Sequence, residues 1–383
     1  MIQRLTRRYL CGLIGALVLG SYFVTRLAAG EVDDLCKKGV ELLEQGKADA
    51  AIAEFDAVIK QLPTAAEPYY YRGNAFSRKG DADRALADYN RALALDSKLL
   101  GVYINRGATL FDKGQFDAAI DNYNRALELN PKLSDAYINR GFAYAAKGQP
   151  DKAIADYTET LRINPQEADA FVKRAVAYSD QGAYDKAMDD FDAALRLTPK
   201  DDEIFYLRGN SQHRKGELDK AIADYSQAIQ LNGKHADAYL NRGTAYEEKS
   251  EHDKAIEDFT AAIQINSQDS EGFYNRGNAL FSKGETEKAI ADYTEAIRLN
   301  PKEADAYTNR GIAYQKQQQW DKAIADFTQA IGLEPAIPAT YALRAEVYDK
   351  IGEKEKAASD LARSKELKAK QIPGTGESPP AEK

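Results

Sequence analysis

Three histidines, two cysteines and one tryptophan are all that 383 residues offer of these types. So thin a supply leaves little material for metal ligation or thiol chemistry. Cys11 lies inside an apolar run, and loss of that run would leave Cys36 alone, which rules out an internal disulfide framework. Positive charge is short as well: 52 Lys and Arg stand against 60 Asp and Glu, a net charge of −8. Binding nucleic acid calls for a basic surface that neutralises phosphates, so that class of partner is excluded. Glycines do not cluster into a phosphate-cradling loop, and no nucleophile elbow is present. His213, His235 and His252 sit at different positions of the periodic pattern in the sequence and do not converge on a shared face, as metal ligation would need. These gaps leave no catalytic reading, no metal site and no cofactor to expect.

The two ends differ from the middle. Arg4, Arg7 and Arg8 precede an apolar run of sixteen residues, Tyr9 to Val24, and Ala28-Ala29-Gly30 follows. The order basic, apolar, small is that of a secretory signal. The run is short of the roughly 20 residues of a full membrane span, but it would also serve as an uncleaved anchor. Residues 1–30 are therefore expected to export the chain to the periplasm or another extracytoplasmic space, or to tether it in the membrane through residues 9–24. They hold four Arg and no acid, so the remainder has 48 basic and 60 acidic residues, a net of −12. Residues 372–383, with Pro373, Gly374, Gly376, Pro379 and Pro380, read as a disordered tail.

Between the ends a 34-residue period repeats without insertion or deletion, opening ten repeats at 32, 66, 100, 134, 168, 202, 236, 270, 304 and 338. Position 20 is Ala in all ten, from Ala51 to Ala357. Position 24 is aromatic in nine, position 8 is Gly in eight, and Pro fills position 32 in six. Positions 4, 8 and 11 share one face of a first helix, and 20, 24 and 27 one face of a second. Small residues at 8 and 20 let the two backbones approach, with rings at 4, 11 and 24 filling the space around them. Gly at 15 closes the first helix and Pro at 32 stops the second. One such hairpin cannot bury its apolar face alone, so neighbours must stack. The 23 tyrosines are mostly positions 4, 11 and 24 copied along the array.

Tyr137, Gly141, Tyr144, Ala153, Tyr157 and Pro165 of the fourth repeat match the pattern of the tetratricopeptide repeat family, and the resemblance runs over residues 32–371. It implies an all-α solenoid, a right-handed superhelix of antiparallel helix pairs, whose first helices line a concave groove that binds peptides or protein segments.

Positions 2, 5, 9, 12 and 13 lie opposite the packed side of the first helix, with 6 at the border. Apolar residues are frequent there: Tyr70, Ile104, Ile138, Tyr206 and Tyr274 at position 5, Phe142 at 9, Phe111 and Phe281 at 12. They read either as an interaction strip or as residues covered by the next repeat. Position 6 is Asn105, Asn139, Asn241, Asn275 and Asn309 in five repeats, broken at Lys173 and Leu207. Such amides can grip the backbone of an extended peptide, or simply solvate the helix. The family's clamp for acidic C-termini, Lys at 5 with Asn at 9, is missing, because Tyr stands at 5 wherever Asn74, Asn210 or Asn278 stands at 9. Position 7 is Arg in nine repeats and position 23 is Asp in eight, which predicts ion pairs such as Arg140 with Asp156 and Arg276 with Asp292. The leading expectation is a non-catalytic scaffold holding a protein or peptide in its groove. The alternatives are self-association, or service as an accessory or assembly subunit of an envelope enzyme or polymer-export complex through the convex face or ends.

Overall fold

A computed structural model describes residues 29–371. The basic and apolar stretch before residue 29 and the tail after 371, with the export and disorder expected of them, lie outside the described residues. Among those described, twenty α-helices alternate with short turns and there is no strand. No described helix is long and apolar enough to cross a membrane.

The helices come in pairs. Leu100–Asp112 is followed by Phe116–Leu129 in the third repeat, and Ser134–Ala146 by Pro150–Ile163 in the fourth. The amphipathic spacing explains the pairing: Ala153, Tyr157 and Leu161 recur every four residues on one face of the second helix, and all three are buried. The close approach at position 8 is severe. A Cβ on Gly141 would lie 2.7 Å from the Tyr157 ring, and the same holds at Gly277 against Tyr293. Position 15 is left-handed in every repeat, with Gly148 at φ 69°, while Ser250 and Gln318 adopt φ of 60° and 59° without being glycine. The second helix ends one residue before the expected proline. Asn130 is extended at φ −142°, ψ 97°, and its Oδ1 accepts the Lys132 N–H at 3.0 Å. Asn232 does the same before Gly233, so the stop lies in the Asn at position 31 and proline reinforces it.

The chain divides at Pro199 and Lys200 into two compact units of five repeats each. On either side of this boundary the repeat pattern departs at Lys173, Ala175 and Leu207. Within each half, a second helix packs on the first helix of its own repeat and on that of the next. First helices also touch the first helices of neighbouring repeats, whereas the described second helices make no comparable approach to one another. In each half, the first helices therefore crowd together on the inner side.

Candidate peptide-binding groove

The inner face depends on how the first helices are held. Arg140 donates from Nε and Nη2 to Asp156 at 2.9 and 2.7 Å, and from Nη1 to Asn124 of the preceding repeat at 2.6 Å. Arg276 bonds Asp292 at 2.7 and 2.8 Å and Thr260 at 3.1 Å in the same way. Each Arg thus ties its own second helix to the previous one, through an acceptor at position 25 that the helical faces alone did not single out. Burial pushes the Asp156 carboxyl up and the Arg140 bonds pull it back. Arg140 itself is raised, first by its bond to Asp156. Two short bonds to a guanidinium hold the pair charged. The third repeat differs, since Arg106 meets Asn122 at 2.7 Å and Asn90 at 2.8 Å, and burial lowers its guanidinium.

The apolar positions separate into two sets. Phe111, Ile138 and Tyr206 are 7–8% exposed and belong to the packing between repeats, which corrects their reading as an open strip. The cause is the next first helix. Ile138 shares a cluster with Ala170, Phe111 packs with Ala143, and the Tyr206 ring sits 4.7 Å from that of His235. Tyr70, Ile104, Phe142, Tyr274 and Phe281 are only half-buried. Phe142 lies 5.7 Å from Phe111, ring to ring, with Lys173 Nζ 4.0 Å above it, and Lys316 Nζ stands 4.7 Å from the Phe281 ring.

The asparagines divide likewise. Asn105 Nδ2 donates to the Tyr70 hydroxyl at 3.1 Å and to Asn74 Oδ1 at 2.8 Å. Asn241 bonds Tyr206 and Asn210, and Asn309 bonds Tyr274 and Asn278, with closely similar geometry. At all three junctions the tyrosine at position 24 also donates to the same Asn at position 9: Tyr89 to Asn74 at 2.8 Å, Tyr225 to Asn210 and Tyr293 to Asn278 at 2.9 Å. These Asn donors are occupied in joining repeats. Asn139 and Asn275 follow repeats that carry Ile104 with Ala108 and Leu240 with Thr244. No Tyr–Asn pair awaits them, and among the described residues their amides have no hydrogen-bond partner.

Each histidine has partners of its own. His213 bonds Glu248 at 2.9 Å, His252 bonds Glu247 at 2.8 Å, and buried His235 caps the seventh repeat by accepting the Ala238 N–H at 3.3 Å. Among the described residues no group of His, Cys, Asp and Glu is arranged to hold a metal.

Comparison with known proteins agrees with the helix pairs. A family described as "TPR repeat" matches residues 107–148, 213–250 and 277–318. Two described as "Tetratricopeptide repeat" match 236–269 with 304–336, and 36–99 with 138–202. The chain belongs to the tetratricopeptide repeat (TPR) family. No curated protein matches it. Among solved structures, a TPR protein from Parabacteroides merdae ATCC 43184 shares the fold at TM-score 0.52 and 21% identity, covering 65% of this chain and 98% of its own. MamA gives a TM-score of 0.42 at 26% identity over 43% of this chain and 95% of its own. YrrB, a TPR protein with an unusual peptide-binding site, gives 0.42 at 26% over 48% and 95%.

Proposed function

We propose that this TPR chain is a non-catalytic scaffold that holds an extended protein or peptide segment along the inner face of its first helices. The observation that carries the reading is the pair of free amides, Asn139 and Asn275, each set on that face beside half-buried aromatic side chains, Phe142 in the first half and Tyr274 and Phe281 in the second. A free carboxamide can donate to and accept from a peptide backbone while the rings take side chains, which is a sequence-tolerant way to hold an extended strand. Ile104 and Tyr70 border the same face in the first half. The stretch Arg4 to Val24 supports export or tethering of the array, so the partner belongs to the extracytoplasmic side.

The test is partner recovery by the exported chain carrying Asn139→Ala, Phe142→Ala and Asn275→Ala together. Crosslinked partner is expected to fall about tenfold or more, the equivalent of roughly 1.4 kcal/mol, with far-UV circular dichroism unchanged. Undiminished recovery at intact helicity refutes the groove. Recovery that survives there but falls when the position 30 residues Leu129 and Ile265, exposed on the second helices, are made polar would favour assembly through the outer face.

A further inference from the structure

The repeats of this chain obey an internal rule with two exceptions. Where position 9 is Asn, in the second, sixth and eighth repeats, position 24 is a tyrosine whose hydroxyl bonds it. Where position 9 is Val40, Val176, Thr244, Ile312 or Glu346, position 24 is Phe55, Phe191, Phe259, Phe327 or Leu361, and no hydroxyl is spent. The third and fourth repeats break the rule side by side. Ala108 stands at 9 with Tyr123 at 24, and Phe142 at 9 with Tyr157 at 24. Both tyrosines are 2% exposed, and among the described residues neither hydroxyl has a hydrogen-bond partner. Neither oxygen is sealed from solvent. Each hydroxyl keeps an unspent donor and acceptor that a phenylalanine at position 24, as at Phe191 of the fifth repeat, would not carry.

The surroundings say what the hydroxyls await. Burial raises both phenols, and the neighbouring Asp112 carboxylate raises Tyr123 further. Asp112 has no ion pair among the described residues; water reaches it, yet the protein around it desolvates its carboxyl enough to push it up. Asp135, exposed at the rim of the same repeats, is unpaired as well. The basic side chains nearby are engaged: Lys173 is bonded to Asp169 at 3.2 Å, and Arg140 to Asp156. Phe142 packs on the cluster that contains Tyr123, and the free amide of Asn139 lies three residues before Phe142 on the same helix.

Resting on the groove reading above, we propose that the third and fourth repeats form a recognition pocket for a basic side chain, arginine or lysine, of an extended partner segment. Asp112 takes the charge and the Tyr123 oxygen accepts a further N–H. Tyr157 and Asn139 hold the neighbouring backbone, and the aliphatic stem lies against the apolar cluster of Ile104 and Phe142, one face of the Phe142 ring being taken by Lys173. Charge complementarity carries the assignment, since the unengaged charges of this floor are negative on a body of net −12.

The full chain, immobilised, is to be exposed to octapeptide libraries with degenerate uncharged flanks and a fixed central Arg, Lys, Gln or Glu. Arg and Lys libraries should be retained at least about tenfold better than Gln or Glu, and the excess should fall as salt is raised. Asp112→Asn and Tyr123→Phe should each remove about tenfold of that retention. Tyr123→Phe should not lower the melting temperature, because it breaks no bond, whereas Tyr293→Phe should lower it and leave retention intact. Equal retention of Arg and Glu libraries, both abolished by Asn139→Ala with Phe142→Ala, overturns the basic pocket and keeps the groove. Retention of no library, or retention blind to those two substitutions, overturns both. Concentration-dependent self-association lost in Asp112→Asn would place a second copy of the chain there and overturn the peptide assignment.

Discussion

The side chains that join one repeat to the next are chosen by what the preceding repeat presents. Arg at position 7 shows this best. In eight repeats it meets a carboxylate, as in Arg72 with Asp88 at 2.8 and 2.7 Å and Arg310 with Asp326 at 2.8 Å, but Arg106 meets the neutral Asn122. A half-buried guanidinium without its counter-ion is a local weakness, because desolvation then acts on the charge unopposed. Asn122→Asp is therefore expected to stabilise the first half by about 1 kcal/mol or less, given partial exposure, seen as a higher urea midpoint at neutral pH. An unchanged or lower midpoint would mean that Asn122, which also donates to the Ala118 carbonyl at 2.7 Å, is better placed as an amide. The same scale limits what the residues alone disclose. Helical angles place Asn105, Asn139 and Asn241 on one border and make them equivalent, yet the structure occupies two and leaves Asn139 free. What decides is Tyr70 with Asn74, or Ile104 with Ala108, one repeat earlier.

At the scale of the element, most of the hairpin follows from local chemistry: small residues where backbones approach, rings around them, a left-handed residue at each first turn. The parts that do not follow come from the neighbour. Position 5 reads as an exposed apolar face when each first helix is considered alone, and becomes buried at Ile138 and Tyr206 once the next repeat covers it. Position 31 was hidden behind the more familiar proline at 32. The turn at position 15 offers a direct test of local strain. Ser250 and Gln318 hold φ near 60°, where an L side chain crowds its own carbonyl. Ser250→Gly and Gln318→Gly should each stabilise the second half by about 0.5–1 kcal/mol, the relief of that crowding less the greater freedom of glycine in the unfolded chain. Thermal unfolding would show it as a higher melting temperature. Gly216→Ala, the reverse change at φ 83°, should lower it.

For the whole molecule, length becomes repeat number and stability becomes a sum over neighbours. Each repeat's core is shared only with adjoining repeats, as with Leu280, Tyr293 and Ala313 across the eighth and ninth, so damage should stay near its origin. The two halves of five repeats allow this to be measured, because the single tryptophan, Trp320, packs beside Phe327 and Val347 in the second half. Gly141→Ala places a methyl 2.7 Å from the Tyr157 ring in the first half. Overpacking of this kind costs about 1–3 kcal/mol, and Ala175, buried at position 8 of the fifth repeat with Phe191 at position 24, shows that the fold accommodates a methyl there. In urea, the far-UV signal of the variant should lose part of its amplitude at lower denaturant than the parent, while the Trp320 fluorescence midpoint stays where it was. If both probes shift together by the same amount, the ten repeats unfold as one cooperative body, and the first-half groove cannot be weakened without the second. If only the far-UV signal moves, each half carries its own stability, and substitutions at Asn139 and Asn275 test two separable binding surfaces.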